Sequence, residues 1–292
     1  MRYTYLLLLV GLLLAASPSA DAQEDDGPVV YMTQHKVHPA KMDSLMTLIQ
    51  EFSIPWQNFI AENVEGYWRT FSQHDTGNEY NLMISTGYPS WDMVDSVPVE
   101  ELWPQFAATM DMTPQELGAK YMPALEWAYE GSEHMDQIWR VVASTGFNQS
   151  PETIGDAVVY MTQQKIKQAR VDSLASLHAG IDIEWHNVIA EQMPGYERHY
   201  LRHDTGNEYN FMIVTTYPSW DMVDSMPENS EFAPQFMENM GMTQEEAQAA
   251  WAVQFEGYAW ANEDIRHMDQ IWRPISRPMN NMDGEMMDEE ME

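Results

Sequence analysis

The same 23-residue sequence occurs twice in this chain. It reads H-D-T-G-N-E-Y-N-L-M-I-S-T-G-Y-P-S-W-D-M-V-D-S at His74–Ser96 and returns at His203–Ser225, 129 residues later, with 20 of its 23 positions identical. The three differences are Leu82/Phe211, Ser85/Val214 and Gly87/Thr216. Solenoid repeats are about 20–45 residues long, so a period of this length predicts a duplicated domain.

Matching sequences on either side extend the repeat. V-V-Y-M-T-Q precedes both copies, and H-M-D-Q-I-W-R follows both. We therefore predict a first repeat over residues 28–142 and a second over residues 156–275. Residues 143–155 between them are rich in turn-forming residues and predict a linker.

The first residues of the chain predict export, and its last residues predict a disordered tail. Residues 1–22 are interpreted as a signal peptide, because a basic residue precedes an apolar run too short to span a bilayer and Ala20-Asp21-Ala22 fits the small-x-small cleavage pattern. Residues 276–292 are acidic and rich in Met, which predicts a disordered tail. We expect a periplasmic or extracellular protein that is soluble after cleavage.

Composition excludes several classes of function. The chain has no Cys, so we expect no disulfides, no thiolate metal site and no lipoprotein anchor. Its 46 acids against 14 Lys and Arg give a net charge of −32, which repels nucleic acid and anionic membranes. Such an excess of acids is similar to that of proteins adapted to high salt, and we interpret it as a solvated surface. No metal site is predicted.

Each repeat predicts the element order strand, helix, strand, strand, helices, strand. The second and third strands flank a connector that contains Gly and Asn, which indicates a hairpin. Thr113-Pro114-Gln115-Glu116 is a capping box that begins a later helix, and Thr243-Gln244-Glu245-Glu246 repeats it. In the first helix, Pro55 predicts a kink, whereas its counterpart Glu184 does not.

This order, β-α-β-β-α-β, is the split βαβ or ferredoxin-like arrangement, and two such sheets could pair face to face. In element order and domain length the chain resembles the dimeric α/β-barrel superfamily, which includes antibiotic-biosynthesis-type monooxygenases, NIPSNAP-like and EthD-like proteins. The resemblance implies an α+β fold of two tandem ferredoxin-like domains with antiparallel sheets, packed as an intramolecular α/β barrel. The chain would then be a monomeric pseudo-dimer or form a homo-oligomer. It also implies an apolar or aromatic ligand, sometimes haem, inside the barrel or between sheet and helices.

The sequence H-D-T-G-N-E-Y-N offers an imidazole beside carboxylates. It could hold a base with its orienting acid or two ligands for a divalent metal, or it could be a hairpin whose Asp, Gly and Asn satisfy the turn. Turn chemistry leaves three residues in each copy unexplained, and these are candidate ligand-binding residues: His74, Glu79 and Asn81, with their counterparts His203, Glu208 and Asn210.

Two strand arginines are further candidates, because a partly buried guanidinium needs an acceptor. Arg69 and Arg198 could bind a ligand carboxylate or form an internal salt bridge, and Tyr67 and Tyr196 lie on the same strand faces. The opposite face of the second-repeat strand carries Glu197, His199 and His203. We take His203 and His199 as the best candidates for catalysis. A solvent-facing strand is the alternative.

His178 occupies the apolar helix position that Ile49 holds in the first repeat, and His186 follows it. Such a residue could be a haem axial ligand or a core histidine with satisfied hydrogen bonds. The sequence itself requires no cofactor.

Three functions follow from these residues. We expect first a protein that binds a small, partly apolar ligand in a tandem α/β barrel. The second is an enzyme of the same superfamily, a cofactor-independent or haem-dependent oxygenase using His203 or His199 with Arg198. The third is an envelope interaction module without a small-molecule site, whose barrel interior would be packed with apolar side chains.

Overall fold

The computed structural model describes residues 27–145, 156–206, 208–224 and 229–276. The predicted signal peptide lies outside them, as do most of the predicted linker and all of the predicted tail after Ser276. Eight strands are present in this part of the chain: β1 (Val29–Lys36), β2 (Trp68–Thr76), β3 (Leu82–Tyr88), β4 (Glu133–Ser144), β5 (Val158–Lys165), β6 (Glu197–Thr205), β7 (Phe211–Tyr217) and β8 (Arg266–Ser276).

The helices follow the predicted order. Between β1 and β4 they are α1 (Pro39–Leu48), α2 (Ile54–Asn63), α3 (Val99–Thr109) and α4 (Pro114–Tyr129). Between β5 and β8 they are α5 (Val171–Leu177), α6 (Ile183–Gln192), α7 (Trp220–Asp224), α8 (Asn229–Met240) and α9 (Gln244–Ala261). Short 3₁₀ turns occur at Trp91–Met93 and Gln168–Arg170. Both predicted capping boxes are confirmed, with Thr113 and Thr243 as N-caps. No helix in these ranges is both long and apolar enough to cross a membrane.

The strands form a closed antiparallel barrel in the order β1-β3-β2-β8-β5-β7-β6-β4, and β4 pairs again with β1. The α+β class and the barrel are therefore confirmed. The prediction that two sheets pair face to face was wrong in detail: β2 pairs with β8 and β4 with β6, so the strands of the two halves join edge to edge. Closing the sheet in this way leaves no exposed edge strand in it.

The prediction that the first helix is kinked in the first repeat, at Pro55, and not in the second is also wrong. A π-helical turn interrupts both, at Ile49–Ser53 after α1 and at His178–Asp182 after α5. Pro55 lies in the first turn of α2, where a missing N–H costs no helical hydrogen bond. In the second half, Gly180 has non-helical backbone angles within the π turn. The break is thus common to both halves and does not depend on proline.

Alternation along the strands separates two apolar environments. One set of side chains faces the helices, where clusters such as Leu45, Ile49, Phe71 and Leu82 form the outer core. The other set points into the barrel and forms a cluster that includes Trp139, Trp272, Met32 and Met161. The face predicted for Glu197, His199 and His203 belongs to this inner set, so it is not the solvent-facing strand that was the alternative.

Candidate functional site

The barrel encloses a cavity of about 560 Å³. It lies at the end of the barrel where β1, β2, β5 and β6 begin, which we call the cavity end. The turns after β2 and β6 lie at the opposite end, which we call the hairpin end. A volume of this size is typical of small-molecule sites. Most of the lining is apolar, with contributions from all eight strands: Val30, Met32, Trp68, Met83, Val141, Val159, Met161, Leu201, Met212, Val214 and Pro274.

The two halves contribute different walls to this cavity. In the second half, Glu197 and His199 line it, with the Glu197 Oε2 atom 3.6 Å from the His199 Nε2 atom. The Glu197 side chain is only 5% exposed and that of His199 27%. In the first half the matching positions are Trp68 and Thr70, which also line the cavity. The ionisable wall is therefore on one side of an otherwise nearly symmetric barrel.

Two of the three positions at which the copies of the 23-residue repeat differ lie in or beside this asymmetric cavity wall. Ser85 and Val214 both line the cavity. Gly87 pairs with Trp68, whose Nε1 atom would lie only 2.0 Å from a Cβ atom at that position. Its counterpart Thr216 pairs with Glu197 and lines the cavity. One of the three differing pairs thus lines the cavity with both of its residues, and a second lines it with Thr216 alone.

The predicted histidines of the repeat lie at the hairpin end. His74 packs on Trp272 with ring centroids 4.8 Å apart, and His203 packs on Trp139 at 4.9 Å. The Nε2 atom of His74 accepts the backbone N–H of Asn78 at 3.2 Å. Burial lowers the pKa of His203. Neither imidazole is among the residues that line the cavity.

The other predicted residues of the repeat hold the hairpins to neighbouring strands. Glu79 pairs with Lys36 at 2.5 Å, and Glu208 pairs with Lys165. The Asn81 amide donates to the Val37 carbonyl at 2.7 Å and accepts its N–H at 2.8 Å. Asn210 makes the same two bonds with Ile166, at 2.8 and 2.9 Å. These contacts give each residue a structural role, and ligand binding by them stays a prediction.

The strand arginines and tyrosines face the helices, outside the barrel. Arg69 Nε donates to the Thr86 hydroxyl at 2.7 Å. Ligand binding by the strand arginines and tyrosines stays a prediction. The Tyr67 hydroxyl donates to Gln57 of α2. Burial raises the pKa of Tyr67 to about 12, so its hydroxyl stays protonated at neutral pH.

In the second half the corresponding space holds a buried polar cluster, which we call the Asp182 cluster. The Asp182 carboxylate accepts from His178 Nδ1 at 2.7 Å and from the Tyr200 hydroxyl. Arg198 Nε donates to the same hydroxyl at 2.7 Å and its Nη1 to Thr215 at 2.8 Å. A further contact joins His186 Nδ1 and the Tyr196 hydroxyl at 2.7 Å.

The electrostatics of the cluster favour one arrangement of charge. Burial, together with the positive charge of Arg198, lowers the pKa of His186 to about 3. Burial also lowers the pKa of His178. Burial alone would raise the pKa of Asp182, but the hydrogen bond from His178 and the contributions of His186 and Tyr200 lower it to about 2. At neutral pH the cluster therefore holds one carboxylate, one guanidinium and two neutral imidazoles.

The predicted haem role of His178 does not fit this arrangement. Its ring stacks on Tyr200 at 4.1 Å and lies 5.3 Å from Phe211 and 4.8 Å from Tyr258. Its Nδ1 atom is held by Asp182. Aromatic side chains occupy the space beside the imidazole, so the core-histidine interpretation describes it better. The described residues contain no group of three or more His, Cys, Asp or Glu arranged to hold a metal ion.

Sequence reasoning missed several residues of these sites. It did not single out Asp182, nor the cavity-lining methionines and the buried glutamines beside them. A comparison of the two repeats could have found Asp182, because Ile49, Ser53 and Gln57 stand where the second half has His178, Asp182 and His186.

Comparisons with known proteins bear on the fold. Neither a family model nor a curated protein matches the chain. Among solved structures, a proposed monooxygenase from Lactobacillus acidophilus NCFM is similar with a TM-score of 0.51 at 7% identity, over 87% of this chain and 97% of that chain. Two further structures are similar at a lower level. An anthrone oxidase-like protein has a TM-score of 0.44 at 10% identity, over 88% of this chain and 95% of that chain. A proposed chlorite dismutase has a TM-score of 0.41 at 9% identity, over 86% of this chain and 96% of that chain. At these identities the similarity concerns architecture alone. With its closed eight-stranded barrel and flanking helices, the chain has the fold of the dimeric α/β-barrel superfamily.

Proposed function

We propose that this protein, as two tandem ferredoxin-like repeats in one exported chain, binds a small, mostly apolar ligand inside its barrel. The observation that carries the proposal is the cavity of about 560 Å³ between the two halves of the barrel. Its walls are mainly Val, Leu, Met and Trp side chains, and burying a ligand's apolar surface against them provides the driving force.

The few polar groups at the cavity end would orient the ligand. Thr70, Ser85, Thr145 and Thr216 offer hydroxyl groups, and His199 offers an imidazole. Among the residues that the structure describes, no Lys or Arg lines the cavity, whereas Glu197 lies in its wall. A buried anion without a cationic partner is costly, so this lining favours a neutral ligand. The third candidate, an interaction module, predicted an interior packed with apolar side chains, and the cavity with its polar wall counts against it.

Narrowing the cavity should weaken binding. We expect Val214→Phe to lower the affinity for 2-ethylnaphthalene, a neutral apolar probe, at least about tenfold, because the larger ring occupies the probe's space. The affinity is measured by equilibrium dialysis. Ile213→Phe is the matched control, since Ile213 is next to Val214 on the same strand but packs against the outer core. Equal affinities of the two variants, or no binding to the wild type, would contradict the proposal.

An oxygenase is the second candidate function, and the pairing of His199 with Glu197 favours it. Such an enzyme needs a base that takes a proton from the bound substrate. Among the cavity-lining residues that the structure describes, His199 is the imidazole, and the Glu197 carboxyl group 3.6 Å away is placed to orient it.

If His199 is that base, His199→Gln should lower the rate of dioxygen uptake with an anthrone, a neutral aromatic carbon acid, by about 100-fold. Binding of 2-ethylnaphthalene should change less than about twofold. His203→Gln is the control at the hairpin end and should keep the wild-type rate. A wild-type rate no faster than that of His199→Gln would remove the enzyme candidate and leave ligand binding intact.

A further inference from the structure

The imidazole of His199 lies in the cavity wall between two other lining residues. Its neighbours on the adjoining strands are Val214 of β7 and Ser144 of β4. The matching position of the first half is Thr70 on β2, which lies across the barrel because three strands separate β2 from β6 in either direction. Among the described residues that line the cavity, the second half thus contributes an imidazole where the first half contributes a hydroxyl group.

The ring nitrogens of His199 can be reached from the cavity. Within the described residues, neither nitrogen makes a hydrogen bond, and neither is among the fully buried side-chain atoms that lack a partner. Both therefore keep accessible surface, in agreement with the 27% exposure of this side chain in the cavity wall. By contrast, His178 and His74 each have a ring nitrogen held by a neighbouring residue. A ligand that displaces water from the cavity must therefore supply a polar group to His199.

The neighbouring Glu197 determines which nitrogen of His199 offers a lone pair. Its Oε2 atom lies 3.6 Å from the His199 Nε2 atom, which is too far for a hydrogen bond but close enough for electrostatic attraction. In a neutral imidazole one nitrogen carries the proton and the other a lone pair. The carboxyl oxygen favours the proton on Nε2, because a lone pair there would face the lone pairs of the oxygen. Nδ1 is then a hydrogen-bond acceptor.

We propose that His199 determines ligand specificity by accepting, at Nδ1, a hydrogen bond from a hydroxyl group of the ligand. This inference rests on the proposed function and names the polar group of its ligand. A neutral hydroxyl group donates to the imidazole without bringing an anion into a space that Glu197 also lines. An ether or a carbonyl group has no proton to donate and cannot make this bond. The ligand is therefore an apolar body whose hydroxyl group points at β6.

Probes of nearly the same size test the inference. 2-Naphthylmethanol has a hydroxyl group where 2-ethylnaphthalene has a methyl group, and 2-methoxynaphthalene has an ether oxygen that can only accept. Equilibrium dialysis gives the affinity of each probe for the wild type and for His199→Leu, which removes both ring nitrogens. The ratio of the alcohol affinity to the ethyl affinity should fall at least about tenfold in His199→Leu, because the buried hydroxyl group loses its acceptor. The ratio of the methoxy affinity to the ethyl affinity should change less than about twofold.

Two further measurements assign the effect to Nδ1 of His199. His203→Leu is the matched control, because His203 lies on the same strand face but does not line the cavity, and it should keep both wild-type ratios. In nitrogen NMR spectra of the wild type with isotope-labelled histidine, the Nδ1 resonance of His199 should be that of an unprotonated nitrogen. It should move further with the alcohol than with the ethyl compound. These spectra use the unaltered protein, so they test the inference even if His199→Leu does not fold.

The outcomes separate this inference from the proposed function. An alcohol-to-ethyl ratio that His199→Leu left unchanged would place the hydroxyl group elsewhere and overturn the inference, while binding of the ethyl compound would still support an apolar ligand site. A methoxy-to-ethyl ratio that fell as far as the alcohol ratio would show that His199 is a donor, and it would also overturn the inference. A proton on Nδ1 would do the same. Failure of all the probes to bind the wild type would remove the proposed function together with the inference.

Discussion

Gly77→Ala is expected to lower the free energy of unfolding by about 4 kcal/mol, equivalent to a fall in Tm of about 10 °C. A Cβ atom at Gly77 would lie 2.4 Å from the Asp269 carbonyl oxygen and 2.7 Å from the Gln270 Cα. These are backbone atoms of β8, so they can move only if the seam between β2 and β8 opens. The residue also has a φ of +128°, which L-residues rarely adopt. Thermal and urea unfolding monitored by circular dichroism measures the loss.

Two glycines serve as controls for this result. Gly206→Ala should be equally costly, because its Cβ would lie 2.3 Å from the Asp136 carbonyl oxygen at the other seam. Gly131 has a φ of +73° but no atom within 4 Å of the added Cβ, so Gly131→Ala should cost only about 1 kcal/mol of backbone strain. If Gly77→Ala cost no more than Gly131→Ala, the seam would tolerate the contact and the steric argument would be wrong.

The same glycine shows how far the sequence could predict the fold. The order of elements, the hairpins and the capping boxes follow from local patterns, and so does the interpretation of Gly77 as a turn residue. Its contact with β8 does not, because Asp269 is far away in sequence and belongs to the other repeat. Which strand edges join depends on long-range pairing, for which no local pattern codes. The edge-to-edge closure was therefore not predicted, although a barrel was.

The residues that line the cavity were predicted less well than the fold, because identity between the repeats identifies hairpin residues in this chain. Positions that both copies keep, such as His74 and Asn81, hold the hairpins that each half needs. Positions that differ, such as Ser85/Val214 and Gly87/Thr216, line the cavity or adjoin its wall. A cavity that two halves share does not require the same residues from each half, so the positions that differ between the repeats are the informative ones. Of the two candidate histidines on this strand face, His199 lines the cavity, and its counterpart Thr70 is not a histidine.

The Asp182 cluster is the second place where the halves differ. Outer-core residues of the first half, such as Ile49, are apolar, whereas in the same region the second half buries a carboxylate and an imidazole and partly buries a guanidinium and a second imidazole. Asp182 also acts on Arg198, since Tyr200, Tyr196 and Asp182 together raise the pKa of that guanidinium against the effect of burial. Removing this one carboxylate should therefore cause a large loss in the free energy of unfolding.

Asp182→Asn is expected to lower the free energy of unfolding at neutral pH by about 3 kcal/mol. The amide keeps the shape of the carboxyl group but not its charge, so the buried Arg198 loses its neighbouring anion. Tyr200 and His178 would also face a weaker acceptor, part of which is an NH₂ group. Asp172→Asn is the matched control. Its side chain is 85% exposed beside Arg202, and the substitution should cost less than about 1 kcal/mol.

The pH dependence of this difference identifies the carboxylate as its source. The pKa of Asp182 is lowered from 3.8 to about 2 in the folded protein. A carboxyl group with a lowered folded pKa contributes its stability above the unfolded pKa and loses it as the pH falls through the folded value. Wild type and Asp182→Asn should thus differ fully at neutral pH and converge as the pH falls from about 4 to about 2. Urea unfolding of both proteins across this range measures the convergence. A difference that persisted unchanged in acid would show that the charge of Asp182 is not its source, because a protonated carboxyl group is uncharged and nearly isosteric with the amide.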